Sequence, residues 1–240
     1  MTVDGTDARS RLSFSEHSAS ILATEHWSLL SARSLAYSES FSRVTVFLTV
    51  LSASIVGLAL VANTAGVEDE FAWATGFLAP LVLFLGVTTY VRLVQLNVDD
   101  ILTVMAMNRI RHAYLEMAPE LQPYFTTGWH DDIRGVMKSL LLVRSRSANP
   151  KTQFFITTPS VVAFVDAFVA GSASGLLLSR TDLEPVVSIV FSVVIFSAVA
   201  ALLLRMQFAT LRELAAVEPR FRSAPEDYSD ELGPLRSGIE

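Results

Sequence analysis

The stretch VTVFLTVLSASIVGLALVANTA, residues 44–65, decides how the rest of this chain is read. It carries no charged residue, and it is long enough for a helix to cross a bilayer's hydrocarbon layer, which takes about 20 apolar residues. Three further stretches, 71–96, 155–178 and 186–204, repeat the pattern, and the only charges within them are Arg92 and Asp166. Backbone amides have no water to bond in hydrocarbon, so each stretch is expected as a helix that satisfies its own groups. The fold class is therefore all-α: a polytopic membrane protein with four transmembrane helices and cytoplasmic amphipathic helical extensions.

Composition agrees. Hydrophobic residues are 51% and charged residues 18% of the 240, against about 25% charged in soluble domains. There is no cysteine, so disulfide and thiolate chemistry are excluded and a metal site would need His, Asp or Glu. The spans divide the chain into a cytoplasmic N-terminal arm with an amphipathic helix (1–42) and a first transmembrane hairpin (43–97). A cytoplasmic helical loop (98–153), a second hairpin (154–205) and a helix extension with a disordered acidic tail (206–240) follow. The first forty residues lack the basic start and short apolar core of a cleavable signal, so the first span is expected to act as its own insertion signal.

Basic residues are sorted. Arg9, Arg11, Arg33 and Arg43 precede the first span, Arg109, Arg111, Arg134, Lys138, Arg144, Arg146 and Lys151 fall between spans two and three, and Arg205, Arg212, Arg220, Arg222 and Arg236 follow span four. The two remaining connections hold one basic residue, Arg180. By the positive-inside rule both termini and the central loop are cytoplasmic, in a cell (inner) membrane. The outer connections are short and acidic, with Glu68, Asp69 and Glu70 in the first and Asp182 and Glu184 in the second. They form a candidate outer acidic mouth.

Ser13-x-x-Glu16 has the spacing of a capping box, and Trp27, Leu30, Tyr37 and Phe41 recur at helical spacing, which predicts a helix over 15–42 leading into span one. Its stripe is expected to pack on the protein's own cytoplasmic helices, the alternative being to lie along the inner membrane surface. Beyond Leu96 the helical pattern continues until Pro119, and a second helix is expected to start at Asp131 or Asp132 and bury Ile133, Val136, Met137, Leu140 and Leu141. His130, Asp131 and Asp132 point in different directions on any regular backbone, so they read as helix capping and not as a metal cluster. From Ser223 the chain is rich in acidic residues and Pro, hence expected to be disordered.

Asp166 is the most costly residue, because a carboxylate at mid-bilayer costs about 2.5–3.5 kcal/mol even on the lenient insertion scale. Either protonation or a partner must compensate, and Arg92 near the cytoplasmic end of span two is the basic side chain within reach. The pair is the candidate intramembrane charge site, read as a clamp between helices or as a proton or cation site. Thr45, Thr49, Ser52, Val56, Ala59 and Asn63 step by three and four along span one, so they share a small, polar face. Such a face either mediates close helix packing or lines a water-filled path, and Gly171 with Gly175 in span three carries the same two meanings.

No glycine-rich phosphate loop, nucleophile elbow or zinc-protease pattern occurs, so no catalytic, cofactor or metal residue is assigned and the chain is not read as an enzyme. Mixed charge on the cytoplasmic helices argues against nucleic acid. The stretch from Glu25 to Leu60, with Trp27, Arg33, Tyr37, Arg43, Ser52 and Ser54, resembles the start of SLATT-type bacterial membrane domains. That resemblance implies pore formation. The topology as a whole is similar to that of Orai-type calcium channels: four spans, both ends inside, a polar first span with acidic residues near its outer end. The expected function is a homo-oligomeric, channel-like or ion-conducting protein. The alternative is a non-conducting scaffold whose cytoplasmic helices bind a partner protein. Lipid is the partner common to both.

Overall fold

A computed structural model describes residues 5–64, 68–140, 157–181, 184–214 and 217–224 of the chain. Regular structure among them is entirely helical: α1 (Gly5–Ala62), α2 (Glu68–Met117), a 3-10 segment (Pro119–Tyr124), α3 (Ile133–Ser139), α4 (Thr158–Leu178) and α5 (Pro185–Leu214). Proline sets most of these limits. None precedes Pro80, which lets α1 run for 58 residues, while Pro119 stops α2 and Pro159 and Pro185 open α4 and α5, where the missing amide costs nothing. Because α1 is already helical from Gly5, Ser13 lies within it and is not a helix start.

α1, α2, α4 and α5 are each long and apolar enough to cross a membrane. The chain is thus a multi-pass membrane protein with an all-helical fold.

Two compact units divide the residues. The apolar unit comprises Ala36–Val98 and Asn149–Leu214. Phe47 of α1, Val82, Tyr90, Leu93 and Val94 of α2, Val162 and Ala163 of α4, and Leu203 of α5 form its core. Some polar groups in this interior are bonded, as hydrocarbon surroundings favour, while the Thr75 and Ser188 hydroxyls and the Asp166 carboxyl have no partner among the described residues. The Tyr90 hydroxyl donates to the Leu203 carbonyl, and Gln207 donates to Thr157 at 3.2 Å and accepts from Ser160 at 3.3 Å. Gly171 and Gly175 turn out to be packing residues: a Cβ on Gly171 would stand 2.8 Å from the Ser192 carbonyl oxygen, and one on Gly175 would stand 1.8 Å from the Ser192 hydroxyl. Small residues here let the α4 and α5 backbones approach closely, which is how helices associate without hydrophobic drive.

The polar unit comprises Met1–Leu35, Asp99–Ala148 and Ala215–Glu240. Val104, Met105 and Val136 form a small core, with Ile101 and Leu140 against it. Asp132 caps α3 by accepting from the Gly135 amide at 2.9 Å, which fixes the helix start the sequence suggests. The buried face of α3 is narrower than its apolar residues imply, since Ile133 is exposed; Leu141 lies outside the described residues. Arg33 of α1 is paired with Asp100 of α2 at 2.6 Å.

Candidate functional site

Of the two intramembrane charges, only Asp166 is deeply buried. It lies on the face of α4 that also buries Val162 and Ala163, is 0% exposed, and neither carboxylate oxygen has a hydrogen-bond partner among the described residues. Its neighbour is Gly86 of α2, where an added Cβ would stand 1.7 Å from Oδ1. The expected partnership with Arg92 is not formed. The Arg92 guanidinium instead donates to both oxygens of Glu39, at 2.8 and 2.9 Å, and Glu39 also takes Arg43 at 2.8 Å. A carboxylate one helical stretch before span one is a better partner for Arg92, because both groups then sit toward the end of the apolar segments and neither must reach to mid-bilayer. Residues sharing no periodicity and 53 positions apart gave the sequence reading no signal for this pair.

The polar face of span one is set apart from that buried acid. Thr45, Thr49, Ser52, Val56, Ala59 and Asn63 are all exposed, whereas Phe47 on the opposite side of α1 enters the core. The Thr45 hydroxyl donates to the Phe41 carbonyl at 2.8 Å and the Thr49 hydroxyl to the Thr45 carbonyl at 2.7 Å. Packing within the chain is therefore not what this face does. Beside it, Leu51, Ser54, Leu58, Val82, Val165 and Val169 line an apolar groove of about 170 Å³.

The acidic residues are only partly visible. Glu70 and Glu184 are exposed, Glu68 and Asp69 form the first positions of α2, and Asp182 lies outside the described residues. Trp27, Leu30, Tyr37 and Phe41 are 69%, 42%, 48% and 75% exposed. This corrects the expectation that their stripe is covered by the chain's own helices: the inner face of α1 there is built around Arg33 and its partner Asp100.

A second constellation, read from the sequence only as a helix cap, captures the chain after α5. The buried Asp131 carboxylate accepts the Arg220 amide at 2.9 Å, the Phe221 amide at 2.7 Å and Arg109 Nε at 2.6 Å, and the Asp131 amide donates to the Phe221 carbonyl at 3.2 Å. Asp132 accepts both the amide and the hydroxyl of Ser223. The Phe221 ring stacks on His112, centroids 4.1 Å apart, and Asn108, itself fully buried, ties the other side by donating to the His130 carbonyl at 2.7 Å. Ser223 is thus bound, and the tail expected to be disordered from that residue is held through it; residues from 225 lie outside the described residues. Burial by itself raises the Asp131 carboxyl, but the donors from Arg220, Arg109 and Phe221 outweigh it and hold the group below the usual carboxylate range. Asp132 behaves alike, burial being outweighed by Ser223 and the Gly135 amide.

Among the described residues no three His, Asp or Glu side chains converge to hold a metal ion. No protein-family model, curated protein or solved structure matches the chain. The class that fold and composition define is a multi-pass membrane protein, with four candidate spans among the described residues.

Proposed function

We propose that the chain forms homo-oligomers that conduct ions across a cell membrane, with both termini cytoplasmic and the polar face of span one lining the path. The observation that carries this reading is the exposure of Thr45, Thr49, Ser52 and Asn63 along α1, on the side away from the core residue Phe47. Hydroxyls bonded back to their own helix tolerate lipid, but a whole polar face in lipid gains nothing; facing water or further copies of α1, it contributes hydration or close packing. Four thin helices rarely enclose an aqueous path alone, so the conducting form is read as containing more than one chain. Orientation by the basic residues turns Glu70 and Glu184 outward, where acidic side chains concentrate cations at a mouth. Asp166, buried against Gly86, is not on this path.

The test is conductance of purified protein in planar bilayers. Cation-selective currents are expected, with Ser52→Phe blocking them and Glu70→Gln lowering selectivity; silence of the wild type, or currents indifferent to both changes, overturns the assignment. The exposed aromatic stripe favours a second reading, a scaffold that binds a cytoplasmic partner protein. A photo-crosslinker at Phe41 separates the two: capture of a second copy supports the oligomer, and capture of a different protein alone supports the scaffold.

A further inference from the structure

The buried acid of α4 has no place in that conduction path and stands on its own geometry. Asp166 is fully enclosed, neither oxygen has a hydrogen-bond partner among the described residues, and the carboxyl occupies the space that a side chain on Gly86 opposite would fill. On α1 the charged groups of the apolar unit are Glu39 and Arg43, bonded to each other; on α2 they are Glu68 and Asp69 at its first positions, Glu70, exposed, and Arg92, bonded to Glu39. α4 has no other charged residue, and α5 has none before Arg205. Arg92 lies six residues along α2 from Gly86, about 9 Å at 1.5 Å per residue. The Tyr90 hydroxyl is donated to Leu203. An ionised carboxylate in such a place has neither donor nor counter-ion, and groups so situated neutralise instead of bearing the desolvation cost.

We propose that Asp166 is a proton-binding site within the membrane, uncharged while α4 rests on α2 at Gly86 and able to exchange its proton only when that contact opens. The glycine is then the floor of the site: it admits an acid without a cation or water beside it, and separation of the helices gives the carboxylate its hydration. Nothing in this requires that the chain conduct ions.

Dicyclohexylcarbodiimide, an apolar reagent that reacts with protonated carboxyls, tests it in native membranes. The acid proton moves to a carbodiimide nitrogen as the carboxyl oxygen bonds to the central carbon, and the adduct rearranges to a stable N-acylurea without loss of any group. Mass spectrometry is expected to find that adduct on Asp166 at neutral pH, in a yield that falls as pH rises, and to find none in Asp166→Asn. Gly86→Ala, whose Cβ would take the place of the Asp166 carboxyl and must displace it from its enclosed position, is expected to raise the labelling rate several-fold. Absence of the adduct at every pH, or a yield indifferent to pH, overturns the proposal, and so does protection by sodium ions, which would identify a metal-ion site.

Discussion

Asp131→Ala is expected to release the C-terminal segment and to cost about 3 kcal/mol or more, because it strands the Arg220 and Phe221 amides and the Arg109 guanidinium at once. Limited trypsin digestion reads this directly. Arg220 and Arg222 are expected to resist cleavage in the wild type and to be cut early in the variant, with sites elsewhere unchanged; equal protection in both chains contradicts the clamp. The same contact fixes a pH response. Asp131 and Asp132 are both held below the ordinary carboxylate range in the folded chain, so their contribution is fully present above the unfolded value near 3.9. It is lost as pH falls below that value and through the folded one. Trypsin is inactive at such acidity, so a fluorophore on an introduced cysteine near Ser223 is the better probe, and the absence of native cysteine makes that label unique.

Val193→Arg carries the other large effect. Val193 is exposed near the middle of the apolar run 186–204 of α5, and an arginine at the centre of a transmembrane segment costs about 2.5–3.5 kcal/mol on the insertion scale. The variant is expected to accumulate poorly in the membrane fraction. Val186→Arg, also exposed but at the start of the same helix, is expected to be tolerated, since a long side chain there snorkels to the interface. Equal abundance of the two variants would mean that depth in a bilayer is not what distinguishes the sites, as water around α5 would make both harmless.

What the sequence made legible is what depends on local pattern. Apolar runs broken by only two charges gave the four spans, Pro119 marked the end of α2, and the pair Asp131 and Asp132 marked the start of α3, where Asp132 proves to be the cap. Contacts between residues far apart in the chain were not legible. Asp131 meets Phe221 across 90 positions and Arg92 meets Glu39 across 53, and no spacing rule connects either pair. Arg92 looked like the natural partner of Asp166 because sequence reasoning counts charges inside spans, while the actual partner lies just outside one. The aromatic stripe shows a related limit: spacing establishes that Trp27, Leu30, Tyr37 and Phe41 share a face, but only the fold shows that this face is uncovered in the single chain. Asp166 is the intermediate case. Its cost was evident from position alone, and Gly86, one of 11 glycines, became its partner only in three dimensions.

Lipid around α1, α2, α4 and α5 is the premise on which the exposed valines of α5, the polar face of span one and the enclosed acid all acquire meaning. Alkaline carbonate extraction of native membranes is the most direct measurement of it. The chain is expected to remain in the membrane pellet and to dissolve only when detergent is added; recovery of the chain in the detergent-free supernatant would contradict it.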